Sequence, residues 1–160
     1  MTAADYAAQV KAELKEAWLP YIYRERIRRL RTRAYHFEAL PTNPRVEIQH
    51  TLLGVELKAG RRRLLCPDLA TARYLSVFAR AGCEHVAVPY EITKVSQLAD
   101  ELESSWQRMI LLADHHAGGQ SNALKNRIRR LLVNDLRAEI LAAGAGASVP
   151  EFKQSTKQGT

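Results

Sequence analysis

LLGVELKAG, residues 52–60, is followed directly by three arginines at 61–63, and this stretch predicts the central strand of the fold. Its middle part, VELK at 55–58, alternates apolar and charged residues with period two, as a half-buried strand does. The alternation places Glu56 and Lys58 on one face, away from the apolar pair. A carboxylate and an ammonium on a rigid strand can hold a divalent cation and polarise a phosphate. The simpler interpretation is a charged, solvated strand face.

The composition predicts one globular domain with a sizeable core, because 46% of the 160 residues are apolar and 26% are charged. Charged residues interrupt every apolar run before it is long enough to span a membrane. The N-terminus lacks the basic-then-apolar pattern of a secretory signal, and two cysteines do not make a disulfide framework. We therefore expect an intracellular, cytoplasmic protein with no membrane partner.

Arginine supplies most of the positive charge. The formal net charge is +7, with 17 arginines against 7 lysines, and the isoelectric point is near 9.7. The planar fork of arginine suits bidentate contact with phosphate better than the point charge of lysine does. This balance favours nucleic acid as the partner.

Two helices are predicted before the central strand. Residues 5–18 repeat an apolar position every four residues, with Asp5 as the expected N-cap. Pro20 interrupts this helix and suits the first turn of a second one, which we expect to run to about Ala34. The outer face of that second helix carries six arginines: Arg24, Arg26, Arg28, Arg29, Arg31 and Arg33. They form either a solvated face or a phosphate-binding surface.

Strands are predicted on both sides of the central stretch. Residues 35–40 either finish the second helix or form a short strand, and 41–44 read as a turn. From Arg45 apolar residues alternate with period two, but the phase slips beside Gly54, which indicates a bulge or a tight kink between two strands. Residues 62–66 return as a short strand.

The second half of the chain is predicted to be mainly helical. Asp68 caps a helix that Gly82 ends, and residues 85–90 form an apolar strand one right-handed crossover after the previous strand. Two long helices, 96–117 and 122–142, form an antiparallel hairpin. Its apolar stripe packs on the core or pairs two subunits as a homodimer.

The expected fold is α/β in the broad sense (α+β): a small mixed β-sheet flanked by helices, with an N-terminal helical segment and a C-terminal antiparallel helix pair. We expect a single domain over residues 1–143, made of a core at 20–90 and the helical hairpin at 95–143. A polar, disordered tail is expected at 144–160.

The central stretch resembles the catalytic strand of the PD-(D/E)XK nucleases, the restriction-endonuclease-like fold. The likeness rests on Leu-Gly-Val-Glu-Leu-Lys at 53–58 and on the order of elements over 20–90. It implies metal-dependent phosphodiester hydrolysis of DNA, with Mg²⁺ as the cofactor. Glu56 would be a metal ligand, with the Leu57 carbonyl as a second one, and Lys58 would orient the attacking water or stabilise the developing charge.

The nuclease family also expects an aspartate upstream of this strand, and residues 40–55 contain none. Glu47, three residues after Pro44, is the only acidic replacement and is the expected third catalytic residue and second metal ligand. This role requires Glu47 and Glu56 to lie on one exposed face, which a bulge at Gly54 would allow. Otherwise the fold binds nucleic acid without cleaving it.

The alternative function is a non-catalytic nucleic-acid-binding or protein-assembly module that uses arginine-rich helix surfaces. Under either hypothesis the candidate nucleic-acid-binding residues come from the second helix, the basic turn and the last helix: Arg24, Arg28, Arg31, Arg61, Arg62, Arg63, Arg127 and Arg130. Binding of this kind depends strongly on salt and not on metal. A third hypothesis is an acidic protein partner, which predicts no affinity for nucleic acid.

Overall fold

Helices pack against two small antiparallel sheets in the computed structural model, which describes residues 1–37, 40 and 44–146. The helices are α1 (Ala3–Leu14), the short α2 (Leu19–Ile22), α3 (Leu69–Ala81), α4 (Ile92–His116) and α5 (Asn122–Ala143). The strands are β1 (Thr32–His36), β2 (Val46–Thr51), β3 (Gly54–Ala59), β4 (Arg62–Cys66) and β5 (His85–Pro89). The α+β class is as predicted. Most of the predicted tail, 147–160, lies outside the described residues.

The helix ends follow from polar side chains placed where backbone N–H groups lack partners. Thr2, and not Asp5, caps α1: its hydroxyl accepts from Asp5 N at 3.2 Å, and Asp5 accepts from Thr2 N at 2.8 Å. Asp68 caps α3 by accepting from Thr71 N at 2.7 Å, as predicted. Gly82 ends that helix with φ at 75°, a conformation that suits glycine.

The second helix predicted over residues 20–34 is wrong in its C-terminal part. After α2 the chain makes a π-helical turn at Tyr23–Ile27, and β1 begins at Thr32. The strand forms because Tyr35 becomes buried in the core and β1 finds a partner in β5, with Thr32 opposite Pro89. Packing against a distant strand here overrides a local pattern that was compatible with a helix.

The sheets also differ from the predicted single mixed sheet. β5 pairs antiparallel with β1, and β2, β3 and β4 form a separate antiparallel sheet in that order. Tyrosine hydroxyls occupy the other edge of β5: Ala87 N donates to Tyr23 Oη at 2.9 Å, and Tyr74 Oη donates to Ala87 O at 2.5 Å. These bonds satisfy the backbone N–H and C=O of Ala87 without a neighbouring strand. The expected parallel pairing of β5 with β4 is absent from the described sheets.

The core lies between the three-stranded sheet and the helices. α3 packs on the apolar face of β2–β3–β4, and it also contacts α4. α1 packs against both α4 and α5, which contact each other as expected of the predicted helix pair. The buried stripes match the four-residue repeats of the sequence, with Leu98 and Leu102 on α4 and Leu132 and Leu136 on α5. Aromatic rings of Tyr23, Tyr74 and Phe78 fill the centre.

Burial of two thiols predicts a loss of stability at alkaline pH. Loss of hydration raises the pKa of Cys66 to about 12, with the nearby Asp68 charge adding to the effect, and burial likewise raises the pKa of Cys83 to about 12. Unfolded thiols ionise near pH 9.0. Stability is therefore complete below that pH and is lost as pH rises from 9 towards 12. By pH 10.5 the loss is at most about 2 kcal/mol per thiol.

The measurement is the urea midpoint at pH 8 and at pH 10.5. We expect the urea midpoint of the wild type to fall between pH 8 and pH 10.5. The midpoint of the Cys66→Ala/Cys83→Ala variant should fall less, because only the wild type gains thiolates on unfolding. Parallel curves for the two proteins would show that the thiols do not carry the effect.

Candidate nucleic-acid interface

The register of the three-stranded sheet brings the predicted catalytic side chains to one face. Glu47 on β2 lies opposite Lys58 on β3. Because residues directly opposite each other point to the same side of a sheet, Glu47 shares the face of Lys58 and therefore of Glu56, two residues away. The other face carries the buried Leu57 and is packed on α3. The required convergence of Glu47 and Glu56 on one face is thus met.

A two-residue hairpin turn, and not a bulge, produces this register. β2 and β3 are joined at Leu52 and Leu53, with Thr51 paired to Gly54. Glycine at position 54 has φ at 130°, a backbone conformation that other residues rarely adopt. The phase slip in the sequence is therefore the change from one strand to the next.

The carboxylate of Glu56 is already partnered by a cation. Glu56 Oε1 lies 3.3 Å from a guanidinium nitrogen of Arg63 on β4. Glu47 occupies the diagonal position, roughly 7–8 Å away between backbones by strand geometry. In the described part of the chain, no three His, Cys, Asp or Glu side chains are grouped to share a metal ion. Mg²⁺ is often bound by only one or two carboxylates together with the phosphates of a substrate. Glu47 and Glu56 are therefore compatible with Mg²⁺ when a phosphate completes the coordination of the ion.

Positive charge collects at the end of the sheet where β3 turns into β4. Gly60 N donates to Arg45 O at 2.9 Å, which ties the start of β2 to this turn. We call the cationic residues gathered here the basic turn: Arg45, Lys58, Arg61, Arg62 and Arg63. The four arginines are exposed and Lys58 is half-buried. Over residues 1–37, 40 and 44–146, only Arg63 of this group has a carboxylate within 4 Å.

Arginines from the predicted second helix contact other parts of the fold. A guanidinium nitrogen of Arg24 lies 3.2 Å from the Glu139 carboxylate on α5. Arg28 Nε donates to Ala143 O at 3.1 Å and so satisfies a carbonyl at the C-terminus of α5. The guanidinium of Arg31 lies over the ring of Tyr90, 5.1 Å from its centroid. These contacts are internal to the fold, and they do not form one continuous phosphate-binding face.

The last helix carries a second exposed pair of arginines. Arg127 and Arg130 lie on the solvent side of α5, away from its buried Ile128 and Leu132. Neither has a carboxylate within 4 Å among the residues that the structure describes. By contrast, Arg129 between them is engaged by Asp114 at 2.6 Å. This pair is separate in the fold from the basic turn and provides a comparison for it.

A small cavity beside the basic turn was not foreseen from the sequence. It has a volume of about 120 Å³ and lies between the end of β1 with the segment after it and the strands β3 and β4. Its lining combines aromatic and aliphatic side chains with arginine: Tyr35, His36, Phe37, Leu40, Leu57, Ala59, Arg62, Arg63 and Leu64. The signal was not visible in the sequence because the two walls are more than 15 residues apart and meet only through packing.

Comparisons with protein-family models, with curated proteins and with solved structures found no match for this chain. No helix within the described residues is long and apolar enough to cross a membrane.

Proposed function

We propose that the protein binds nucleic acid, with DNA as the expected form, through the basic turn. The observation that carries this proposal is the contrast between two sets of arginines. Arg24 and Arg28 contact other parts of the fold, whereas Arg61 and Arg62 are exposed at a sheet end without a carboxylate within 4 Å in the described residues. A group of unneutralised guanidiniums is the feature that attracts a phosphate backbone.

The shape of the basic turn suits contact with a backbone. Its cationic residues come from one tight turn and from three neighbouring strand ends, so they gather at one end of the sheet, with Lys58 and Arg63 on one face and Arg62 on the other. Each phosphate contact releases a condensed counterion, which makes the affinity fall as salt rises. Four contacts predict a slope of roughly −3 to −4 when the logarithm of the association constant is plotted against the logarithm of salt concentration.

The experiment is a fluorescence-anisotropy titration of a labelled duplex at several KCl concentrations, with EDTA present. We expect binding with a steep salt slope that Mg²⁺ does not change. Absence of affinity at low salt would contradict the proposal and would favour an acidic protein as the partner of the arginines.

A second candidate, phosphodiester hydrolysis, is supported by the shared face of Glu47, Glu56 and Lys58. In that reaction Glu47 and Glu56 would hold the cation, which supplies Lewis acidity when bound. Lys58 would place a positive charge beside the phosphate. The ion pair of Glu56 with Arg63 opposes this function, because a cation has to compete with the guanidinium for the same carboxylate.

Glu56→Gln tests the catalytic candidate directly. If the site is active, the variant loses Mg²⁺- or Mn²⁺-dependent cleavage by more than about 100-fold, since changes to groups that only support the metal ligands already cost about 10- to 100-fold. Isothermal titration of Mn²⁺ should show a matching loss of metal binding. Glu91→Gln, at an exposed position outside the sheet, is the control. Cleavage by Glu56→Gln at the wild-type rate excludes this site.

A further inference from the structure

Two leucines stand at the tip of the β2–β3 hairpin with no packing partner among the described residues. Leu52 is 105% exposed and Leu53 is 85% exposed, relative to a fully accessible side chain. The pairing of β3 with β4 ends at Val55, opposite Cys66, so the tip extends beyond the third strand. Apolar side chains this exposed do not contribute to the stability of the fold.

Folding alone does not account for leucine at these positions. Neither Leu52 nor Leu53 has a positive φ, so the backbone of this turn places no demand on residue type at either position. Turns more often carry Gly, Pro, Asn, Asp or Ser, and nothing in the backbone requires leucine here. Here Leu53 N donates to Thr51 Oγ1 at 3.2 Å, and Thr51 Oγ1 donates to Gly54 O at 3.0 Å. These bonds hold the turn in one conformation and present both leucines on a preorganised support.

We propose that Leu52 and Leu53 insert between stacked base pairs of duplex DNA and bend it, while the basic turn holds the phosphates at the opposite end of the sheet. Apolar wedges of this kind partly unstack a base step and kink the duplex by roughly 20–90°. The inference rests on the proposed function, because the wedge needs the electrostatic contact to be brought to the duplex.

The dimensions of the sheet agree with such an arrangement. The six residues of β3 separate the leucine tip from the basic turn, and at about 3.3 Å per residue this is roughly 20 Å. Along a duplex that distance corresponds to about six base pairs at 3.4 Å per step. When β3 lies along the duplex axis, phosphate contact and insertion therefore fall on the same duplex, about half a helical turn apart.

The residues that flank the tip favour a duplex over an anionic membrane. Gln49, His50 and Thr51 are exposed and able to form hydrogen bonds with the edges of bases. Residues 50–54 contain no lysine or arginine, which an anionic membrane surface would require near an inserting apolar tip. The positive charge lies instead at a distance that suits a phosphate backbone.

The test measures bending and binding separately on the full chain. A 25-base-pair duplex labelled at both ends reports its end-to-end distance by energy transfer, and anisotropy reports affinity. We expect the wild type to shorten that distance, and to bind a duplex with a central mismatch about 10-fold more tightly, because an unpaired step costs less to unstack. Leu52→Ala/Leu53→Ala should lose both effects and keep the salt slope.

Leu111→Ala/Leu141→Ala is the matched control, since both leucines are 67% exposed on helices away from the hairpin. The wedge proposal is wrong if Leu52→Ala/Leu53→Ala bends the duplex as much as the wild type does. It is also wrong if the wild type binds the duplex in a salt-dependent way without bending it. Either result leaves the proposed function intact. Sedimentation tests a third outcome. If the wild type is a dimer and only Leu52→Ala/Leu53→Ala is a monomer, the leucines bind a second copy of the chain and the wedge proposal is wrong. Absence of duplex binding at low salt contradicts both proposals.

Discussion

Replacing Tyr23 by phenylalanine is expected to lower the free energy of unfolding by about 2–4 kcal/mol, although it removes a single oxygen atom. Tyr23 is fully buried, and its hydroxyl donates to Gly144 O at 2.6 Å while accepting from Ala87 N at 2.9 Å. The hydroxyl thus joins the π-helical turn to the C-terminus of α5 and to the edge of β5. Without it, a buried N–H of β5 and a helix-terminal carbonyl lose their partners.

Urea unfolding measures the loss, and hydrogen exchange at the Ala87 amide locates it. We expect that amide to exchange faster in Tyr23→Phe, because its hydrogen bond is gone. Tyr21→Phe is the control: Tyr21 is half-buried and its hydroxyl makes no hydrogen bond within the described residues, so its effect should stay below about 0.5 kcal/mol. A Tyr23→Phe midpoint equal to wild type would show that the edge of β5 is satisfied in another way.

The largest effect on binding is expected from Arg61→Gln/Arg62→Gln. Both side chains are exposed and neither has a carboxylate within 4 Å in the described part of the chain, so the substitutions remove charge without breaking an internal ion pair. Two lost phosphate contacts predict an affinity for duplex DNA about 50-fold weaker near 0.1 M salt. Stability should change by less than about 0.5 kcal/mol, which unfolding in urea checks.

The helices were predictable because their burial follows the local repeat. Leu98 and Leu102 on α4, and Leu132 and Leu136 on α5, recur every four residues and face the core as a single helix face must. Asp68 could be recognised as a cap because it directly precedes such a repeat. In these elements the local sequence and the tertiary packing favour the same structure.

The strands were harder to predict because their partners are distant in sequence. Residues 32–34 carry a pattern that a helix would accept, and only pairing with β5, more than 50 residues later, makes them a strand. β5 is not joined to the three-stranded sheet, and the hydroxyls of Tyr23 and Tyr74 instead bond the backbone of Ala87. No local pattern in the sequence signals either contact.

The candidate site was predictable in part. Glu56 and Lys58 share a face because of the strand period, but the position of Glu47 depends on the length of the turn at Leu52 and Leu53. One residue more or fewer in the register would turn Glu47 to the buried face. The arginines could not be sorted from the sequence either, since Glu139, the partner of Arg24, is 115 residues away.

The most direct test of the central claim compares salt slopes for two variants with the same loss of charge. Arg61→Gln/Arg62→Gln alters the basic turn, and Arg127→Gln/Arg130→Gln alters the exposed pair on α5. Anisotropy titrations of labelled duplex between 50 and 200 mM KCl should give a slope about 1.8 smaller in magnitude for the first variant and an unchanged slope for the second. Equal reductions of the salt slope in both variants would contradict a localised interface. They would show instead that the net positive charge of the whole protein attracts the duplex.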